Sequence, residues 1–89
     1  MPKVRLFGIA ECTKCAAIRE GLNKAGIQYV YVDAGDLVSP EVQVLCDKNN
    51  VDETPHVQIL SDDDKVVFDH IGFLQIDAIK RLLSRHTKK

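Results

Sequence analysis

The 89-residue sequence has no apolar run long enough to span a bilayer, which takes about 20 predominantly apolar residues as a helix. Its N-terminal residues, Met1-Pro2-Lys3-Val4-Arg5, lack the apolar h-region of a secretory leader. Charge favours neither sign: 12 Lys and Arg against 13 Asp and Glu leave a net charge of −1, so nothing electrostatic draws the chain to nucleic acid. Cysteine is scarce and odd in number, three in all, which argues against a secreted scaffold stapled by disulfides. Together these absences predict a cytoplasmic protein. At 45% hydrophobic and 28% charged residues, the chain is expected to form one domain over residues 1–89 around a single core.

What the sequence does contain is Cys12-Thr13-Lys14-Cys15, placed where an opening apolar strand meets an amphipathic helix. Two cysteines three apart can close a disulfide across the first turn of a helix. At that position the helix N-terminus favours a thiolate on the first of them, and the thiolate is the nucleophile. Cys12 is therefore expected to attack and to titrate below the free-thiol value of about 8.5. Cys15, one turn on, is expected to be more buried and to resolve the mixed disulfide. Lys14 would favour the Cys12 thiolate further, and Glu11 would partly oppose it. The competing readings are half of a zinc site or two ordinary core cysteines. A zinc site usually shows a second Cys or His pair, and Cys46, His56, His70 and His86 form none, so no metal is assigned.

Residues 4–9 read as a strand, and apolar Ile18 and Leu22 recur at helical spacing over residues 13–24, with Ala25-Gly26 as the stop. Gly21 within that helix costs roughly 1 kcal/mol relative to alanine, which predicts close packing against a neighbour. Residues 27–33, IQYVYVD, read as a strand, and Ser39-Pro40 as an N-cap with proline at the first helical position. Residues 56–60 and 65–70 flank the acidic stretch Ser61-Asp62-Asp63-Asp64 and predict a hairpin with a solvated turn. Ile76, Ile79, Leu82 and Leu83 mark one face of a closing helix, and Lys88-Lys89 is expected to fray. The order β-α-β-α-β-β-α predicts an α/β fold, a four-stranded mixed sheet flanked by helices in the minimal thioredoxin arrangement.

Thr54-Pro55 precedes a strand expected to be central, where proline donates no ladder hydrogen bond. A cis bond would resolve the conflict and leave the Thr54 backbone free to pair with an extended target; a trans turn is the plainer alternative. Gly72-Phe73 fits a tight turn, with Phe73 either a partner-contacting aromatic or a core residue. Cys46 shares a helix face with Val42 and Leu45 and is expected to be a buried structural thiol. His56 is either within approach of the dithiol or, more ordinarily, a partly exposed strand residue.

With those residues placed, nearly the whole chain resembles the glutaredoxin branch of the thioredoxin superfamily. The match runs through the CxxC, the Lys24-Ala25-Gly26-Ile27 helix end, the IQYVYVD strand, Thr54-Pro55 and the Gly72-Phe73 turn. Gly72-Phe73 followed by Asp77, Ile79 and Lys80 makes it most similar to glutaredoxin-like redoxins of the NrdH type. The resemblance implies a monomeric dithiol–disulfide oxidoreductase with no bound cofactor. Cys12 and Cys15 would be catalytic, and Thr54, Pro55, Gly72 and Phe73 would bind substrate. Its electrons would come from NADPH through thioredoxin reductase or from glutathione, and its target would be a disulfide-bearing protein such as ribonucleotide reductase. The family's cluster-bearing members keep a metal or [2Fe–2S] module as an alternative of the same fold.

Three positions differ from the usual glutaredoxin pattern. Thr13-Lys14 replaces Pro-Tyr, Ile9-Ala10 stand where a glutathione-binding lysine is usual, and Gly72-Phe73-Leu74-Gln75 replaces a Gly-Gly and acidic-pair segment. The NrdH-type Trp-Ser-Gly-Phe is His70-Ile71-Gly72-Phe73 here, and the chain has no tryptophan.

Overall fold

The computed structural model describes residues 2–86; the Lys88-Lys89 tail lies outside the described residues. The elements follow the expected order: β1 (Lys3–Gly8), α1 (Thr13–Lys24), β2 (Tyr29–Asp33), α2 (Pro40–Lys48), β3 (His56–Leu60), β4 (Val66–Ile71) and α3 (Ile76–His86). The sheet order is β2-β1-β3-β4, with β1 and β2 parallel and the other neighbours antiparallel. This is a small thioredoxin-like α/β fold.

Side-chain alternation along the two central strands divides the interior. Val4 and Leu6 of β1 and Val57 and Ile59 of β3 are fully buried, and with Ile18, Leu22 and Ile79 they form the core beneath α1 and α3. Gly21 lets those helices close: a Cβ there would stand 2.5 Å from Cγ1 of Ile76. The opposite face, toward α2, carries Phe7, His56 and Gln58, all buried. There the Arg5 Nε and Nη2 donate to Oε1 of Gln58 at 2.9 and 2.7 Å, and Gln58 Nε2 donates to Oδ1 of Asn49 at 3.1 Å. A polar bridge thus joins β1, β3 and the end of α2, and burial pushes the Arg5 guanidinium below its ordinary pKa.

Helix ends explain where element bounds differ from the pattern-based expectation. Gly26 has φ +69°, and the amides of Gly26 and Ile27 donate to the carbonyls of Asn23 and Leu22 at 3.1 and 2.9 Å. This Schellman closure takes the Ile27 amide for α1, so β2 starts at Tyr29 rather than at residue 27. α2 begins as expected, with Ser39 Oγ accepting from the Val42 amide at 3.4 Å and Pro40 at the first helical position. No residue of α2 is fully buried, and Cys46 is half-buried rather than a core thiol. At the hairpin, Asp64 takes φ +64° and its amide donates to the Ser61 carbonyl at 2.9 Å; the acidic residues of that turn are exposed.

Candidate functional site

β1 delivers the chain to the dithiol. Its last residue, Gly8, is followed by a short loop in which the Cys12 amide donates to the Ile9 carbonyl at 3.2 Å. Cys12 is then the N-cap of α1, with extended backbone at φ −86° and ψ 108°. Capping residues usually offer an oxygen to the free amides of the first turn. Here the acceptor is sulphur: the Cys15 amide donates to Cys12 Sγ at 3.1 Å. That amide and the positive end of the helix favour negative charge on Cys12, and no acidic residue stands in the first turn to oppose them.

Cys12 and Cys15 are joined as a disulfide, with Cα atoms 5.2 Å apart. Their environments differ. Cys12 is partly exposed, while Cys15 is 1% exposed and packed toward the core. An accessible sulphur at the helix cap and a buried one a turn later is the asymmetry that separates an attacking thiol from a resolving one. Lys14 is exposed on the first turn, and among the described residues it makes no hydrogen bond or ion pair.

The β1–β3 register ends with Phe7 opposite His56, so Gly8 and Pro55 follow at the same end of the sheet, the end at which β1 runs into the Cys12 loop. The Thr54–Pro55 peptide bond is cis, and Pro55 is buried. The Pro55 carbonyl accepts from the Gly72 amide at 2.7 Å, which binds the Thr54-Pro55 and Gly72-Phe73 segments into one rim. Gly72 adopts φ +105°, a conformation that L side chains rarely take. Phe73 is 46% exposed and Ile71 52%, so Phe73 belongs to the surface rather than the core. His70 turns its Nε2 to the Phe73 carbonyl at 3.2 Å and steadies that turn.

His56 departs from both readings of the sequence. It is 1% exposed on the α2 face, its ring against Phe7 with centroids 5.6 Å apart and its Nε2 on a carboxylate oxygen of Asp69, while Nδ1 has no partner. Gly8, on the opposite face, carries no signal in the sequence; Cys15 and Tyr31 both crowd it. Tyr31 in turn lies under the Arg19 guanidinium, 4.1 Å from ring centroid to Cζ. Among the described residues no group of three or more His, Cys, Asp or Glu side chains converges as a metal site, and no helix is long and apolar enough to cross a membrane.

No family model matches the sequence, and no curated protein is significantly similar to it. Solved structures are. A point-mutant thioredoxin from Halobacterium salinarum superposes with a TM-score of 0.82 at 18% identity, covering 99% of this chain and 76% of its own. A thio-disulfide isomerase from Thermus thermophilus gives 0.68 at 17%, covering 99% and 80%. A thioredoxin f2 solved in complex with ferredoxin:thioredoxin reductase gives 0.72 at 15%, covering 97% and 78%. These likenesses show the thioredoxin fold. A bonded Cys-x-x-Cys pair at the start of its first helix supports thiol–disulfide chemistry in general.

Proposed function

We propose that the protein is a dithiol–disulfide oxidoreductase that reduces protein disulfides, a glutaredoxin-like electron donor of the NrdH type. The observation that carries this is the Cys12–Cys15 bond with its unequal ends: Cys12 accessible at the helix cap, Cys15 buried behind it.

In the dithiol form the Cys12 thiolate attacks one sulphur of a target disulfide. A Cys12–target bond forms, the target S–S bond breaks, and the departing target sulphur leaves as a thiolate that takes a proton. Cys15, deprotonated, then attacks Cys12 Sγ. The Cys12–Cys15 bond closes, the second target sulphur leaves, and two electrons have passed to the target. The Cys15 amide steadies charge on Cys12 Sγ while it is the attacking thiolate. Thr54 offers backbone to an extended target segment beside Pro55, and exposed Phe73 supplies apolar contact on the same rim.

Thioredoxin reductase, drawing on NADPH, is the reductant this reading favours over glutathione. Ile9-Ala10 and Gly72-Phe73-Leu74-Gln75 depart from the glutathione-binding pattern. One structural neighbour, a thioredoxin f2, was solved in complex with ferredoxin:thioredoxin reductase, a reductase partner of another kind. Ribonucleotide reductase is the target that the NrdH resemblance suggests, the protein acting as a cytoplasmic monomer.

The test offers the oxidised protein NADPH with thioredoxin reductase, or glutathione with glutathione reductase, and follows reduction of a protein disulfide. Faster turnover through thioredoxin reductase is expected. Preference for glutathione overturns the choice of branch, and no turnover with either donor overturns the oxidoreductase reading. Cys12→Ser is expected to abolish turnover, whereas Cys15→Ser is expected to accumulate a mixed disulfide with its target.

A further inference from the structure

We propose that Gly8 is a positioning residue for the dithiol: its missing side chain leaves the space in which the Cys15 sulphur is seated, and it thereby sets the balance between disulfide and dithiol. The proposal rests on the oxidoreductase reading above. A Cβ built on Gly8 would lie 3.1 Å from Cys15 Cβ, 3.1 Å from Cys15 Sγ and 3.0 Å from Cε1 of Tyr31. Real Cβ atoms seldom come so near. Glycine in a strand commonly marks a close approach, and here, at the last residue of β1, what approaches is the Cys15 sulphur.

Two walls of this space are fixed by the fold, and the third, Tyr31, is partly exposed. Gly8 is held in β1, paired with Asp33 of β2, and its carbonyl accepts from the Ala34 amide at 2.8 Å. Cys15 sits in the first turn of α1 and is almost wholly buried. Tyr31 is flanked by Arg19, which covers its ring. A methyl group at Gly8 therefore presses on Cys15 and on the ring of Tyr31.

The two redox states feel that methyl unequally. In the disulfide, the Cys15 sulphur is tied to Cys12 and cannot turn away; in the dithiol it is free to change its side-chain rotamer. Crowding at Gly8 penalises the disulfide more, so Gly8→Ala is expected to make the protein a stronger oxidant. With glutathione as the reference couple, one protein disulfide and two glutathione thiols exchange for one protein dithiol and one glutathione disulfide. The equilibrium constant of that exchange is expected to rise about tenfold in Gly8→Ala, equivalent to about 30 mV for this two-electron couple.

The experiment measures that constant for wild type and Gly8→Ala, and the urea-unfolding midpoint of each in both redox states. A larger constant, with the midpoint of the disulfide form lowered more than that of the dithiol form, is the expected result. Equal loss in both forms with an unmoved constant overturns the proposal, because Gly8 is then a packing residue only. If Gly8→Ala does not fold, the comparison uses Gly8→Ala with Tyr31→Ala against Tyr31→Ala alone, which frees the Tyr31 side and keeps the Cys15 contact. Failure of that pair to fold also overturns it. The exchange constant needs no protein target or reductase, so absence of turnover would defeat the oxidoreductase reading without touching this result.

Discussion

The Gly72 amide donates to the Pro55 carbonyl at 2.7 Å, extending the β3–β4 ladder one step past the His56–Ile71 pair. The bond unites the segment before β3 with the turn after β4. It also fixes the conformation of Gly72, whose φ of +105° a side chain would oppose even though nothing stands within 4 Å of its Cβ position.

Gly72→Ala therefore isolates backbone strain from crowding. It is expected to cost about 1–3 kcal/mol if the loop holds its conformation. If the loop instead relaxes, the Pro55 bond is released and stability changes less. Either way kcat/KM for a protein disulfide is expected to fall, with less change in the glutathione exchange equilibrium. Unchanged target kinetics would remove Gly72-Phe73 from the binding rim.

The polar bridge on the α2 face makes a separate prediction. Gln58 accepts two donors from Arg5 and donates to Asn49, all within a half-buried setting. Gln58→Leu removes both short bonds from Arg5, leaving it only the longer one to Oδ1 of Asn49 at 3.5 Å, and is expected to destabilise by about 1–3 kcal/mol in urea unfolding. Adding Arg5→Met should recover much of that loss, since a matched apolar pair can replace a buried polar one. A double variant no better than Gln58→Leu would show that the bridge itself, rather than the stranded guanidinium, supplies the stability.

The sequence made most of the fold legible because its signals are local. Ser39-Pro40 caps a helix by its own chemistry, and Cys12-x-x-Cys15 carries its geometry within one helical turn. Gly21 also declared itself, as a costly residue that only a neighbour could justify; Ile76 is that neighbour. What escaped depends on contacts between distant segments. Gly8 is one small position in an apolar strand until Cys15 and Tyr31 are brought against it. His56 reads as an ordinary strand histidine until Phe7 and Asp69 enclose it. Cys46 misled in the opposite direction: its helix face is apolar in pattern, yet α2 lies over a polar bridge and buries none of its residues fully.

Acid should reveal the hairpin turn. Lys3 pairs with Asp64 at 2.8 Å and holds its carboxyl below the usual aspartate range, first by hydrogen bonding and then by charge. A carboxyl depressed in the folded state contributes stability above its unfolded pKa, about 3.9, and loses it as pH falls through the folded value. Asp64→Asn removes the charge while tolerating the left-handed backbone at this position. Wild type and variant are expected to converge in stability as pH drops below about 4, and to converge also in high salt at pH 7. A difference that persists unchanged at pH 2 would trace to the turn rather than to the ion pair.

Thiol labelling separates the three cysteines by environment. Burial, with the charge of Asp47 beside it, pushes the Cys46 thiol up, which lowers its thiolate fraction at neutral pH. Cys12 is partly exposed at a helix cap that favours its thiolate, and Cys15 is shielded by the core. The reduced protein is thus expected to alkylate at one fast site, Cys12, with Cys46 slower by about tenfold or more at pH 7. Raising the pH toward 9 should speed labelling of Cys46, because its thiolate fraction grows as pH approaches its raised pKa. Mass mapping of the first labelled peptide checks the order. Cys46→Ser is expected to leave disulfide reduction at the wild-type rate, and a large loss would give that thiol a part in the exchange.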